Sequence, residues 1–203
     1  MTIPLSFAKV FRSTTKPNQN IMLSLNLIKN PIAKSIAFAH EVHIGHKRKY
    51  TGEPYTYHLA SVASIIQEVS GTPEMIAAAW LHDTVEDTPT TIEDIKIQFG
   101  IEIAGLVSDL TDVSKPEDGN RKIRKELDRL HLAKASPMAK TIKLADLIDN
   151  SESITQHDSK FAVIYMLEKK LLLEVLREGS PRLHARASEI IRRYYATSTE
   201  QVK

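Results

Sequence analysis

Apolar residues recur at three- and four-residue intervals along most of the chain. No stretch of convincing length shows the alternating pattern of a half-buried strand. Clear punctuation frames the periodic segments. Asn30-Pro31 reads as an N-cap followed by a first-turn proline, opening a helix to about residue 46. A basic loop, KRKYTGEPYT, occupies 47–56. Beyond it Leu59, Val62, Ala63, Ile65 and Ile66 mark the inner face of a helix over 57–69. Thr72-Pro73 opens a third helix, expected to continue through Val85. Its AAAWL run is apolar nearly all round, as a central, buried helix would be. Thr90-Thr91 with Glu93 and Asp94 starts the next helix, which Gly100 stops, and a short one follows over 101–111. Residues 113–119 form a loop and 120–134 a strongly charged helix. Ser136-Pro137 opens a helix to about 154, and two more lie near 159–178 and 181–196, parted by Gly179-Ser180-Pro181. The pattern predicts a single all-α domain over 30–197, a bundle of eight to ten helices, preceded by a flexible or extended segment over 1–29. Phe161, Ile164, Met166, Leu167, Leu171, Leu172, Leu173 and Leu176 give one apolar face, read as core or as the contact of a homodimer.

Composition narrows the classes that fit. The 203 residues are enough for one real core, and 42% hydrophobic with 26% charged residues is an ordinary soluble balance. A net charge of +2 implies no broad nucleic-acid footprint. No segment reaches the roughly 20 apolar residues of a membrane span; IMLSLNLI at 21–28 is short and interrupted. The absence of cysteine excludes disulfide scaffolds and cysteine-rich zinc sites, and it fits a reducing, cytoplasmic compartment.

Candidate chemistry gathers at HDTVED. On a helix, His82 would stack with Glu86 and Asp83 with Asp87, placing an imidazole and three carboxyls at the end of an apolar run. Carboxylates held beside a buried surface are costly unless a cation compensates them. His58, at the start of the second helix, and Asp146, within KLAD, are the candidates to complete a shell with His82 and Asp83. Two imidazoles and two carboxylates make a mixed nitrogen and oxygen site for a divalent ion such as Mn²⁺, Fe²⁺, Zn²⁺, Co²⁺ or Mg²⁺, with positions left open for water and a phosphate oxygen. Lys143, Asp146 and Asn150 fall at i, i+3 and i+7 and share a helix face, so a cation and an amide flank the candidate ligand. Neither a phosphate-binding glycine loop nor HExxH nor a GxSxG elbow is present.

RKYTGEPYTYH (48–58), LHDTVEDT (81–88), the Leu110-Thr111-Asp112 turn and IKLADLIDN (142–150) together resemble the HD-domain phosphohydrolases. More narrowly, they resemble the RelA/SpoT-type hydrolase domain and the stand-alone small alarmone hydrolases. The resemblance implies a metal-dependent 3′-pyrophosphohydrolase of guanosine tetra- and pentaphosphate, with one Mn²⁺ as the expected cofactor. It implies His58, His82, Asp83 and Asp146 as metal ligands, and Glu86 and Asp87 as the acidic pair that orients and deprotonates the attacking water. Arg48, Lys49, Arg121, Lys143 and Asn150 match positions near the nucleotide, and a guanosine alarmone is the expected small-molecule partner. The chain departs from the pattern at Leu147 and Asp149, where the family usually carries a basic residue and an aromatic or histidine. Ser151 and Glu152 replace a segment that is often basic. Asp149 adds negative charge near the expected substrate, which keeps two alternatives open. One is an HD enzyme acting on another nucleotide; the other is a non-catalytic nucleotide-binding module.

Overall fold

The computed structural model describes residues 30–200, with side chains to residue 197; the segment 1–29, expected to be flexible or extended, lies outside them. Helix follows helix: α1 (Pro31–Val42), α2 (Thr56–Glu68), α3 (Pro73–Leu81), α4 (Thr84–Asp87), α5 (Ile92–Phe99), α6 (Ile101–Leu110), α7 (Arg121–Ala133), α8 (Pro137–His157), α9 (Ser159–Val175) and α10 (Pro181–Glu200). A single 3-10 turn, Pro116–Asp118, precedes α7, and one isolated bridge joins Lys47 to Pro54. Among the described residues there is no strand, and no helix is long and apolar enough to cross a membrane.

The start signals work as side-chain caps. Asn30, Thr72 and Ser136 accept from the amides of Ile32 (3.0 Å), Met75 (3.3 Å) and Ala139 (3.3 Å), each ahead of a proline whose missing N–H a first turn does not use. Thr91 and Asp94 close a reciprocal box: the Asp94 amide donates to Thr91 Oγ1 and the Thr91 amide to Asp94 Oδ2. Gly100, at φ 89°, ends α5 and begins α6 in one residue, a conformation that favours glycine.

α3 is the central element. Ala77, Ala78, Ala79 and Leu81 are fully buried, and their small side chains let α1, α2, α6 and α8 approach. α8 runs alongside, burying Ile142, Leu144, Ala145, Leu147 and Ile148 against α2, α6, α9 and α10. The α9 face divides. Met166, Leu172, Leu173 and Leu176 enter the core, while Ile164, Leu167 and Leu171 stay exposed.

One boundary differs from expectation in a way that matters. The third helix does not run through Val85. It ends at Leu81, turns at His82 and Asp83, and resumes as the four-residue α4. The His82 ring bonds through Nδ1 to the Ala79 carbonyl at 2.8 Å, the acceptor that the Asp83 amide would use in a continuous helix. α8 also continues to His157, beyond the expected 154.

Candidate metal centre and active site

Three elements aim four side chains at one point. His58 comes from the first turn of α2, His82 and Asp83 from the break after α3, and Asp146 from the middle of α8. The two imidazoles are 1% exposed and Asp146 6%. His58 Nε2 lies 3.5 Å from Asp83 Oδ2 and 3.4 Å from Asp146 Oδ1; for His82 Nε2 the distances are 3.1 and 3.9 Å. The donor atoms of His58, His82 and Asp83 all lie within 4.8 Å of one another. Donors that share one ion at roughly 2.1 Å stand about 3 to 3.5 Å apart, so the cluster has the dimensions of a coordination shell. The break explains how adjacent residues converge here, since on an unbroken helix their side chains would diverge by about 100°.

Both rings are oriented from behind. His82 Nδ1–H donates to the Ala79 carbonyl, and His58 Nδ1–H donates to Asp149 Oδ2 at 2.6 Å. Each ring therefore presents Nε2 inward, and both Nε2 atoms are buried without a hydrogen-bond partner. Tyr55 Oη donates to Asp83 Oδ2 at 2.5 Å, and Asn150 Nδ2 donates to Asp146 Oδ1 at 2.6 Å. The donor set fits a divalent cation. Its electrostatics agree: burial disfavours charge on His82, yet the Asp83 and Asp146 carboxylates outweigh it and raise the ring to about 9. The pocket calls for positive charge.

The catalytic candidates stand at the mouth. Glu86 is exposed but crowded by protein; burial first, with Asp112 and Asp83 adding, pushes its carboxyl up to about 7 against the pull of Lys143. Its Oε1 accepts the Asp112 amide at 2.8 Å. Asp128 fixes the loop that presents this amide, accepting from the amides of Val113 and Ser114. Burial also raises Asp87. Lys143 Nζ pairs with Asp146 Oδ2 at 2.9 Å and stays protonated, because Asp146, Glu86 and Asp112 outweigh its burial.

Of the residues expected near substrate, the structure brings Lys143 and Asn150 to the centre. Arg48 reaches its edge, pairing through Nη1 with Asp149 Oδ2 at 2.6 Å and approaching Asn150 Oδ1 at 3.5 Å. Arg121 is held by Glu168 through two bonds of 2.8 Å and lines a cavity that Lys143 also lines. Lys49 points away, exposed, with its ammonium 3.2 Å from Tyr50 Oη and 3.7 Å from Asp158. Sequence reasoning missed Asp149 as a support for His58. The signal was available, since Asp149 follows Asp146 by three positions and so shares its helix face. It also missed His43, which is 3% exposed and stacks on Tyr55 with ring centroids 5.3 Å apart.

The chain has relatives. The HD domain family model matches residues 35–166. The guanosine-3′,5′-bis(diphosphate) 3′-pyrophosphohydrolase MESH1 of Drosophila melanogaster is 35% identical over 146 residues, covering 68% of this chain and 80% of that protein. The guanosine-3′,5′-bis(diphosphate) 3′-pyrophosphohydrolase of Aquifex aeolicus is 37% identical over 123 residues, 61% of this chain; the match spans 18% of that longer protein. A solved structure of a metazoan ortholog of SpoT, described as hydrolysing ppGpp, superposes with a TM-score of 0.73 at 29% identity, covering 81% of this chain and 95% of that one.

Proposed function

From the premise that this chain belongs to the HD-domain family, we propose that it is a metal-dependent hydrolase of guanosine 3′,5′-bis(diphosphate), releasing pyrophosphate and restoring the ribose 3′ hydroxyl. The observation that carries this reading is the convergence of two outward-braced imidazoles with Asp83 and Asp146, with Glu86 at the mouth. His58, His82, Asp83 and Asp146 would hold one divalent cation, with Mn²⁺ the expected ion. Bound there, it supplies Lewis-acid polarisation of a phosphoryl oxygen and acidifies water.

The protein supplies the rest. Asp149 and the Ala79 carbonyl fix the tautomer and the aim of the two rings. Glu86, held by the Asp112 amide, is placed to accept the proton of the attacking water, with Asp87 beside it; a carboxyl near 7 suits a base working at neutral pH. Lys143 places a fixed positive charge beside the ligand Asp146, where charge grows on the transferring phosphoryl group. Asn150 steadies Asp146, and Arg48 stands at the edge, able to fork onto a phosphate or stack on a base.

Two of the departures from the family pattern, Leu147 and Asp149, are compatible with the reading once located. Leu147 is 1% exposed and packs into the core, away from substrate. Asp149 is engaged by His58 and Arg48, which outweigh its burial and hold it at about 2. Its charge is therefore committed to the metal centre. The lack of cysteine supports a cytoplasmic setting.

Incubation of the purified protein with guanosine 3′,5′-bis(diphosphate) and Mn²⁺ should yield GDP and pyrophosphate in equal amounts, and Asp83→Ala should abolish both products and metal uptake. Inorganic phosphate released from simple nucleotides, with the bis(diphosphate) left intact, would refute the proposal.

A further inference from the structure

Beside the metal centre lies a cavity of about 580 Å³, formed between α7 and α9. Lys143 and Asp112 both line it; Lys143 pairs with Asp146 and the Asp112 amide donates to Glu86, so the cavity adjoins the centre through these two residues. A volume of this size is within the range of small-molecule sites. Cations line it, and most are already engaged. Lys125 pairs with Asp112 at 2.5 Å and Asp128 at 3.3 Å, Lys143 with Asp146, Arg129 with Glu126, and Arg121 with Glu168.

Lys169 differs. It is half-buried on α9, its ammonium sits 4.8 Å from the Tyr165 ring centroid, and among the described residues no carboxylate lies within ion-pair distance of it. Its sequence neighbour Glu168 faces Arg121 instead. Leu167 and Leu171 add an apolar wall that strengthens any charge interaction beside it. Burial, reinforced by Lys143, holds the ammonium down to about 8. A half-buried cation with only an aromatic face for company is costly, and an anion entering the cavity would offset that cost.

We propose that Lys169 binds the diphosphate arm of the substrate that is not cleaved, making the α7–α9 cavity the feature that selects nucleosides with a second diphosphate. This rests on the reading above for the identity of the substrate. With the scissile group at the metal centre, the remainder of the molecule passes Lys143 into the cavity. There Lys169 is the half-buried cation whose charge no acidic side chain has taken up.

The test uses Lys169→Met, which keeps length without charge, and Lys169→Arg, which keeps charge. A charge-assisted contact of this kind corresponds to about a tenfold or larger change in affinity. Lys169→Met should raise KM for guanosine 3′,5′-bis(diphosphate) about tenfold, with much less effect on kcat, and Lys169→Arg should restore most of it. For guanosine 3′-diphosphate, which lacks the second arm, KM should move less than about twofold. Equal losses on the two substrates, or no loss on either, would overturn the inference. A second readout is independent of turnover. Inorganic pyrophosphate titrated calorimetrically into metal-free protein should bind about tenfold more weakly to Lys169→Met than to wild type. Equal binding rejects the role of Lys169 whatever the enzyme hydrolyses. Should wild type hydrolyse no bis(diphosphate), the functional reading fails, while the pyrophosphate titration still decides the inference.

Discussion

Asp149 is the residue where charge counting on the sequence and geometry diverge. Along the chain it is a negative charge where an anionic substrate is expected. In the fold it accepts from His58 Nδ1 and from Arg48, each at 2.6 Å. Residue-level reading proposed the ligand set because its chemistry is local and recognisable. Spacing puts Asp149 on the helix face of Asp146, but its partner His58 lies 91 positions away, and that pairing is set only by the fold. Asp149→Asn should weaken Mn²⁺ affinity by about 10- to 100-fold in a calorimetric titration, as expected when a carboxylate behind a ligating histidine is lost. Unchanged affinity would remove it from the metal centre. Glu86 makes a separate prediction. Glu86→Gln should lower turnover by about 10²- to 10⁴-fold with metal affinity retained. Its carboxyl also has a stability signature in metal-free protein. The folded value, about 7, lies above the ordinary 4.5, so the folded state binds the extra proton between these limits. Stability from this group is present below pH 4.5 and lost as pH rises through about 7. Thermal melts across that window should show a smaller fall for Glu86→Gln than for wild type.

At the scale of elements, starts were easier to read than stops. Asn30-Pro31, Thr72-Pro73 and Ser136-Pro137 each put a capping side chain ahead of a proline, and each begins a helix where expected. The break at His82 and Asp83 carries no glycine or proline. It arises where the His82 ring takes the Ala79 carbonyl and where both residues turn toward α2 and α8, which is a tertiary cause. Periodicity alone would continue the helix through it. The α9 to α10 turn shows a constraint of a different kind. A Cβ on Gly179 would lie 2.9 Å from Leu144 Cδ1 and 3.1 Å from the Lys140 carbonyl carbon, so α8 and this turn approach too closely for a side chain. Gly179→Ala should destabilise the protein by roughly 1–3 kcal/mol, read as a lower midpoint in chemical denaturation, by forcing that packing apart. A variant as stable as wild type would show that the turn can yield.

For the whole molecule, the proposed metal centre predicts that stability follows metal content. An ion bound by the folded state alone, at about 100 times its Kd, adds roughly 2.7 kcal/mol. For a domain of this size that corresponds to an increase in Tm of roughly 5–10 °C. Stripping with a chelator should therefore lower Tm by about this amount, Mn²⁺ should restore it, and Asp83→Ala should melt at the same temperature with or without the ion. The all-α class and the bundle were readable because periodicity and punctuation recur along most of the chain. The α7–α9 cavity was not readable, because it is a property of two helix faces whose separation no single segment specifies.

The proposed ligands come from α2, the end of α3 and the middle of α8, so the first and the last must meet across most of the domain to complete the cluster. On a growing polypeptide, an amino-terminal fragment ending before α8 would hold two imidazoles and a carboxylate without the carboxylate from Asp146 that faces them. With His58, His82, Asp83 and Asp146 as the proposed ligands, the complete shell exists only after α8 has emerged and docked.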